Sequence, residues 1–227
     1  MKILIVLTSH DRLGDTDIPT GFWYEELAGP YYLFTEAGHD VTLASPRGGK
    51  APVDPKSARP PYATDASNRF EADEQAQKAL ANTVRLDDLA VDDFDAVFYP
   101  GGHGPLYDLA GDAASIALIE NYAAAGKIVG SVCHGPAVFI NTKGPDGRSL
   151  VEGRRVSGFT NGEEEAMGLT DVVPFLVEDE LIRLGANYQK VADFEPFVVT
   201  DGLLVTGQNP ASATGVAKAM LELSRSS

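Results

Sequence analysis

The chain has 227 residues, 44% hydrophobic and 22% charged, with 18 basic against 33 acidic side chains for a net charge of −15. This is enough apolar material for a sizeable core in one domain, and the acidic excess excludes the basic footprint of a nucleic-acid binder and disfavours anionic membranes. One cysteine cannot form an internal disulfide, and the apolar run in MKILIVLTSH is too short for a secretory segment or a membrane span of roughly 18 residues. The expectation is a soluble cytoplasmic protein whose charge serves solubility.

In chain order, ILIVL (3–7) is a continuous apolar run rich in β-branched residues, as expected of a strand buried on both faces. After a polar loop, a helix is expected from about Phe22 to Glu36, with Thr20 as N-cap and Gly38 beyond its end. DVTLAS (40–45) reads as a second strand. A Pro-, Gly- and Ser-rich excursion occupies about 46–70, and a loop that long is usually functional or ordered by docking. EADEQAQKALANT reads as one helix, DAVFYPGG as a strand entering a glycine turn, and ASIALIENYAAAG as a helix with a glycine stop. KIVGSV (127–132) is a strand, and GPAVFI is expected to open the next helix. RRVSGFT reads as a strand, EEEAMGL and VPFLVEDELIRLG as helical pieces, and ANYQKVA as a short strand. FVVTDGLLVTG carries the hairpin signal Asp201-Gly202, and a closing helix follows with Pro210 near its first turn. Strands alternating with helices predict an α/β, doubly wound, mostly parallel sheet flanked by helices, with a small β-hairpin and the excursion after the second strand. No internal repeat or linker divides residues 1–227.

In such sheets ligands bind beyond the carboxyl ends of the strands. Those ends carry His10, Gly101-Gly102-His103-Gly104 and Cys133-His134, so three of the four histidines fall at one edge. SVCHG sets Cys133 between small residues at a strand-to-helix turn, the pattern of a nucleophile elbow, and a following helix would favour a thiolate. The pentapeptide by itself fits a buried, inert cysteine equally well. His134 is the nearby base, although adjacent residues at a sharp turn point apart and need not touch. Gly101 and Gly102 expose N–H groups suited to an oxyanion hole. Glu26 lies four residues before Pro30, which cannot bond its carbonyl. A carboxyl near Cys133 would share one proton with the sulfur. Phe22, Trp23 and Tyr24 could wall a pocket or belong to the core.

Taken together, TGFWYEELAGP, YPGGHGPLYD, GSVCHGPAVF, SGFTNGEEEAMG and TDGLLVTGQNPASA resemble the ThiJ/PfpI superfamily, in the right order and over nearly the whole chain. The likeness is to the branch of heat-shock chaperones with glutathione-independent glyoxalase activity. It implies a flavodoxin-like, glutamine amidotransferase-like fold. Cys133 becomes the nucleophile, Glu26 its carboxyl partner, and the N–H groups of Gly102 and His134 the oxyanion donors. Gly101, His103 and Trp23 become substrate contacts. The third triad member follows GFT; Glu164 is favoured among Glu163, Glu164 and Glu165. The implied reaction turns methylglyoxal into lactate by hemithioacetal and enediol steps, with His134 as base and no cofactor or metal. No metal-ligand cluster stands out in the sequence. A homodimer is implied by the resemblance alone. Glutaminase chemistry is disfavoured, because no histidine follows His134 to complete that triad. The alternatives are a holdase chaperone, an oxidation sensor with a low-pKa exposed thiol, and a deglycase or amidase-type hydrolase acting on another small electrophile.

Overall fold

Apolar runs too continuous for a half-solvated strand drive the architecture. In β1 (Lys2–Val6), Ile3 and Ile5 pack into one core cluster and Leu4 and Val6 into another, because successive side chains point to opposite faces. Both faces therefore need cover, which a parallel sheet with helices on either side supplies. The structure, a computed structural model, describes residues 1–225. Its elements continue with α1 (Tyr24–Glu36), β2 (Asp40–Ser45), α2 (Asp65–Ala72), α3 (Glu74–Ala81), β3 (Val84–Arg85), β4 (Ala96–Tyr99), α4 (Ala113–Ala124) and β5 (Ile128–Val132). There follow β6 (Arg155–Val156), α5 (Asn161–Ala166), α6 (Val177–Arg183), β7 (Asn187–Tyr188), β8 (Val198–Asp201), β9 (Leu204–Gly207) and α7 (Ala213–Arg225).

The main sheet runs β3-β2-β1-β4-β5-β9-β8, parallel except for the β8–β9 hairpin. Residues from α1 and α7 join the cluster on one face, and residues from α4 and α6 join the cluster on the other. Gly202 turns the hairpin at φ 60°, where an Asp-Gly pair is favoured. β6 and β7 form a separate two-stranded parallel sheet.

Four local expectations need correction. Trp23, not Thr20, precedes the first turn of α1; Thr20 instead donates to Asp54 Oδ2 at 3.1 Å. The expected helix across EADEQAQKALANT is split, because Asp73 ends α2 and caps α3 through the N–H groups of Gln75 and Ala76. GPAVF forms a 3₁₀ turn over Gly135–Phe139 rather than an α-helix, so the dipole expected behind Cys133 is only a short turn's. Pro210 likewise sits in a 3₁₀ turn, Pro210–Ser212, ahead of α7.

The excursion docks onto the start of α1. Phe22 N–H donates to the Pro52 carbonyl (2.9 Å), Tyr24 N–H to Ser57 Oγ (3.0 Å), and Asp54 N–H to the Phe22 carbonyl (2.9 Å). The Tyr24 bond occupies an N–H group that the helix itself leaves open, and the other two tie the excursion to the residues that lead into α1.

Candidate active site

Cys133 follows the last residue of β5 and has φ 61°, a left-handed conformation costly for a residue with a Cβ. Two backbone bonds hold it there: its N–H donates to the Gly207 carbonyl (3.0 Å) and its carbonyl accepts from Phe159 (2.8 Å). The sharp turn projects the sulfur from the strand end onto the floor of a cavity. The thiol is 2% exposed, which corrects the exposed thiol expected of an oxidation sensor.

Glu26 comes from the first turn of α1 and is completely buried. Its Oε2 accepts the Gly101 N–H at 2.5 Å; Oε1 has no conventional partner. The carboxyl couples to Cys133 as a charge and as a hydrogen-bond partner. Burial pushes Glu26 up to about 8, against weaker lowering by the Gly101 bond. Burial, and then the Glu26 carboxylate, push the Cys133 thiol well above its ordinary value, while the Gly102 N–H directed at the sulfur pulls it down. Two buried acids in contact do not both ionise. Below about pH 8 the proton therefore stays on Glu26, and the charge that would lift the thiol is absent.

The Gly102 N–H reaches the sulfur because the Gly101-Gly102 turn packs against neighbouring backbone. Gly102 has φ 79°, and a Cβ there would lie 2.4 Å from the Gly21 carbonyl oxygen. Gly101 lies outside the cavity lining, its N–H taken by Glu26, so no substrate contact is open to that N–H.

His134 Nδ1 lies 3.3 Å from Cys133 Sγ, so these adjacent residues do touch. Its Nε2 lies 2.6 Å from Glu164 Oε2, and His103 Nε2 lies 2.8 Å from Glu164 Oε1. Burial raises Glu164, but the neighbouring His134 and the hydrogen bonds from both imidazoles outweigh it, so the carboxyl ends far below its ordinary value. Burial, then His103, lower His134. These directions fit an ionised Glu164 accepting two N–H bonds and a neutral His134. With Nε2 carrying the proton, Nδ1 presents its lone pair to the sulfur.

The three consecutive glutamates part company. Glu164 faces the imidazoles, whereas Glu165 is exposed. Glu163 is buried in a capping box with Thr160 and also accepts from Phe194 N–H and Asn209 Nδ2. Trp23 lines the cavity while Phe22 and Tyr24 lie in the core. His103 lines it too, but its Nε2 is engaged with Glu164, a bond that sequence reasoning missed. His10 stacks on Tyr107 and lines none of this cavity.

A further correction concerns ligand clusters. Donor atoms of His103, His134 and Glu164 lie within 4.8 Å of one another, a grouping the sequence did not reveal. They face each other at hydrogen-bonding distance, so the cluster is closed by its own protons.

The family model described as DJ-1/PfpI matches residues 18–223. The chain belongs to the DJ-1/PfpI family. Among its relatives is the "Glutathione-independent glyoxalase HSP31" of Saccharomyces cerevisiae, 35% identical, with 95% of this chain and 94% of that protein covered. Among solved structures, glyoxalase III from Candida albicans superposes with a TM-score of 0.92 at 30% identity, covering 98% of this chain and 97% of the other. The Rapid Encystment Protein of Francisella tularensis superposes with a TM-score of 0.94 at 36% identity, covering 98% and 99%. Within this DJ-1/PfpI chain, the sulfur, the buried acid beneath it and the His134–Glu164 pair converge on one cavity.

The Glu26 assignment has a consequence for stability. A carboxyl held at about 8 in the fold and near 4.5 when unfolded stabilises fully below 4.5 and loses that contribution as pH rises toward 8. The loss is about 1.4 kcal/mol per pH unit. Glu26→Gln does not titrate, so urea melts of both proteins from pH 5 to 8.5 should show the variant gaining on the wild type by a few kcal/mol in all, then levelling off. A constant difference across that range would mean that Glu26 is ionised in the fold.

Proposed function

We propose that the protein is a glutathione-independent glyoxalase that converts methylglyoxal to lactate, with Cys133 as nucleophile. The observation that carries this reading is the convergence at one sulfur of a protonated Glu26, the Gly102 N–H and a His134 Nδ1 lone pair backed by Glu164. The names of the full-length relatives point to the same activity. No Lys or Arg is among the described residues lining the cavity, so it offers no countercharge to the carboxylates of glutathione.

In this mechanism His134 Nδ1 takes the thiol proton as sulfur adds to the aldehyde carbon. The carbonyl electron pair moves to oxygen, which the N–H groups of Gly102 and His134 receive. The proton taken from the thiol passes from His134 Nδ1 to this oxygen, which leaves His134 neutral again and Glu26 still protonated. His134 then removes the hydrogen of the former aldehyde carbon, and the resulting enediol is reprotonated on the neighbouring carbon. The product thioester is cleaved by water, returning the thiol and releasing lactate. One carbon is oxidised, its neighbour is reduced, and the net reactant added is water. Glu164 orients His134 throughout.

The same proposal includes a homodimer in the cytoplasm, which keeps a lone buried thiol reduced. Among the described residues no helix is long and apolar enough to cross a membrane. A holdase or stress role is a separate property that does not need the sulfur. The test is lactate formation from methylglyoxal without glutathione, before and after dialysis against a chelator. Turnover unchanged by the chelator is expected. No turnover with intact protein would sink the reading, and loss with the chelator would give the His103–His134–Glu164 cluster a metal.

A further inference from the structure

A three-carbon aldehyde uses only the floor of the cavity above Cys133. The whole cavity measures about 370 Å³, within the range of pockets that enclose ligands of drug-like size. Its walls are apolar: Trp23, Tyr62, Phe159, Met167 and Phe194 dominate, and Glu25 is the acidic group among the described residues lining it.

Two of these rings are unusual for an apolar lining. Tyr62 is 42% exposed and Phe194 is 49% exposed. Trp23 packs edge-on against Tyr62 at 5.2 Å, so that side of the mouth is a continuous aromatic surface. On the Phe194 side the backbone is strained. Phe194 has φ 64°, a conformation disfavoured for a bulky residue. Its N–H donates at 2.7 Å to Oε1 of Glu163, which also accepts Asn209 Nδ2 at 2.8 Å and is itself fully buried. The turn of α5 that carries Glu164 to His134 therefore also anchors the Phe194 backbone at the rim. Neither core burial nor chain entropy selects a solvent-facing aromatic held in strained backbone by a buried carboxylate. Strain of this kind persists where the surroundings enforce it, commonly at ligand clamps.

We propose that Tyr62 and Phe194 are specificity-determining residues, and that the site takes 2-oxoaldehydes bearing a bulky, uncharged apolar group, aromatic above all, in preference to methylglyoxal and to anionic aldehydes. The inference rests on the glyoxalase reading above and extends it to substrate class. The chemistry is unchanged: phenylglyoxal plus water gives mandelate, the aldehyde carbon being oxidised and the ketone carbon reduced. Glu25, held by a hydrogen bond from Thr64 Oγ1 at the side of the cavity, opposes a second negative charge.

The experiment compares kcat/KM for phenylglyoxal, 4-carboxyphenylglyoxal and methylglyoxal. Phenylglyoxal should be favoured over methylglyoxal by about tenfold or more, mainly through KM, and over its carboxylated analogue by about tenfold. Phe194→Ala and Tyr62→Ala should each reduce the phenylglyoxal-to-methylglyoxal ratio by about tenfold. A wild-type ratio near unity, or a ratio that neither variant moves, overturns the proposal; Tyr62, on an exposed loop, keeps the test open if the Phe194 variant fails to fold. A second measurement needs no turnover. Cys133 is the only cysteine, so its alkylation by phenacyl bromide and by bromoacetone can be followed by mass, each rate divided by that of a free thiol. An excess of about tenfold for phenacyl bromide, lost in both variants, supports aromatic recognition. If no aldehyde is turned over, the glyoxalase reading fails by itself and this ratio still decides: a value equal to that of the free thiol overturns the specificity assignment.

Discussion

Cys133→Ser is expected to lower methylglyoxal turnover by about 10³-fold or more while leaving the fold intact. A serine hydroxyl is a far weaker acid than a thiol, and the neutral His134 at Nδ1 is too weak a base to compensate in a buried site. The substitution keeps the side-chain shape and the backbone bonds to Gly207 and Phe159 that hold φ at 61°. Stability should therefore stay within about 1 kcal/mol of the wild type. Lactate assays and denaturant melts on both proteins check the two halves separately. Turnover retained in the serine protein would remove the sulfur from the mechanism, whatever the melts show. A holdase activity, if present, should survive Cys133→Ala.

The second large effect is expected at Glu164, which acts through His134 and is a positioning residue. Glu164→Gln should cost about 10²- to 10⁴-fold in kcat/KM. The carboxylate accepts from Nε2 of His134 and so keeps the Nδ1 lone pair toward the sulfur. A glutamine can turn its NH2 toward Nε2, which stabilises the opposite tautomer and puts a proton between Nδ1 and Cys133. The rate of Cys133 alkylation against pH supplies a readout beyond activity, since the variant should shift that profile upward. Glu165→Gln, on an exposed position of the same turn, should change neither quantity. Equal losses at Glu164 and Glu165 would mean that bulk negative charge, rather than the hydrogen bond to His134, matters. Glu164 also contributes stability above pH 4.5, because its carboxyl is lowered in the fold, and that contribution is lost progressively as pH falls below that value.

Much of this was legible in the sequence where the signal is local. An apolar run rich in β-branched residues marked β1, KIVGSV marked β5, Asp201-Gly202 marked the β8–β9 hairpin, and glycine stops marked the ends of α1 and α4. A parallel sheet binds ligands at the carboxyl ends of its strands, and that rule places Gly101-Gly102 and Cys133-His134 at one edge from their positions in the sequence.

Local sequence signals thus specify the alternation of elements, the sheet edge on which the chemistry-bearing residues stand, and Cys133 at a strand end between small residues. The tertiary structure alone decided rotation and partnership. Glu163, Glu164 and Glu165 are equivalent in a sequence window, but each helical step turns a side chain by about 100°, so one meets His134, one closes a cap and one faces water. Asp73 breaks an apparently continuous helix because its carboxylate accepts the N–H groups of the next turn. Thr20 lost its place as N-cap because the excursion brings Asp54 within reach of its hydroxyl. The proton on Glu26 is likewise a tertiary property. It exists because a carboxyl sealed under α1 beside a thiol cannot be solvated as an anion, and no local pattern of residues encodes that burial.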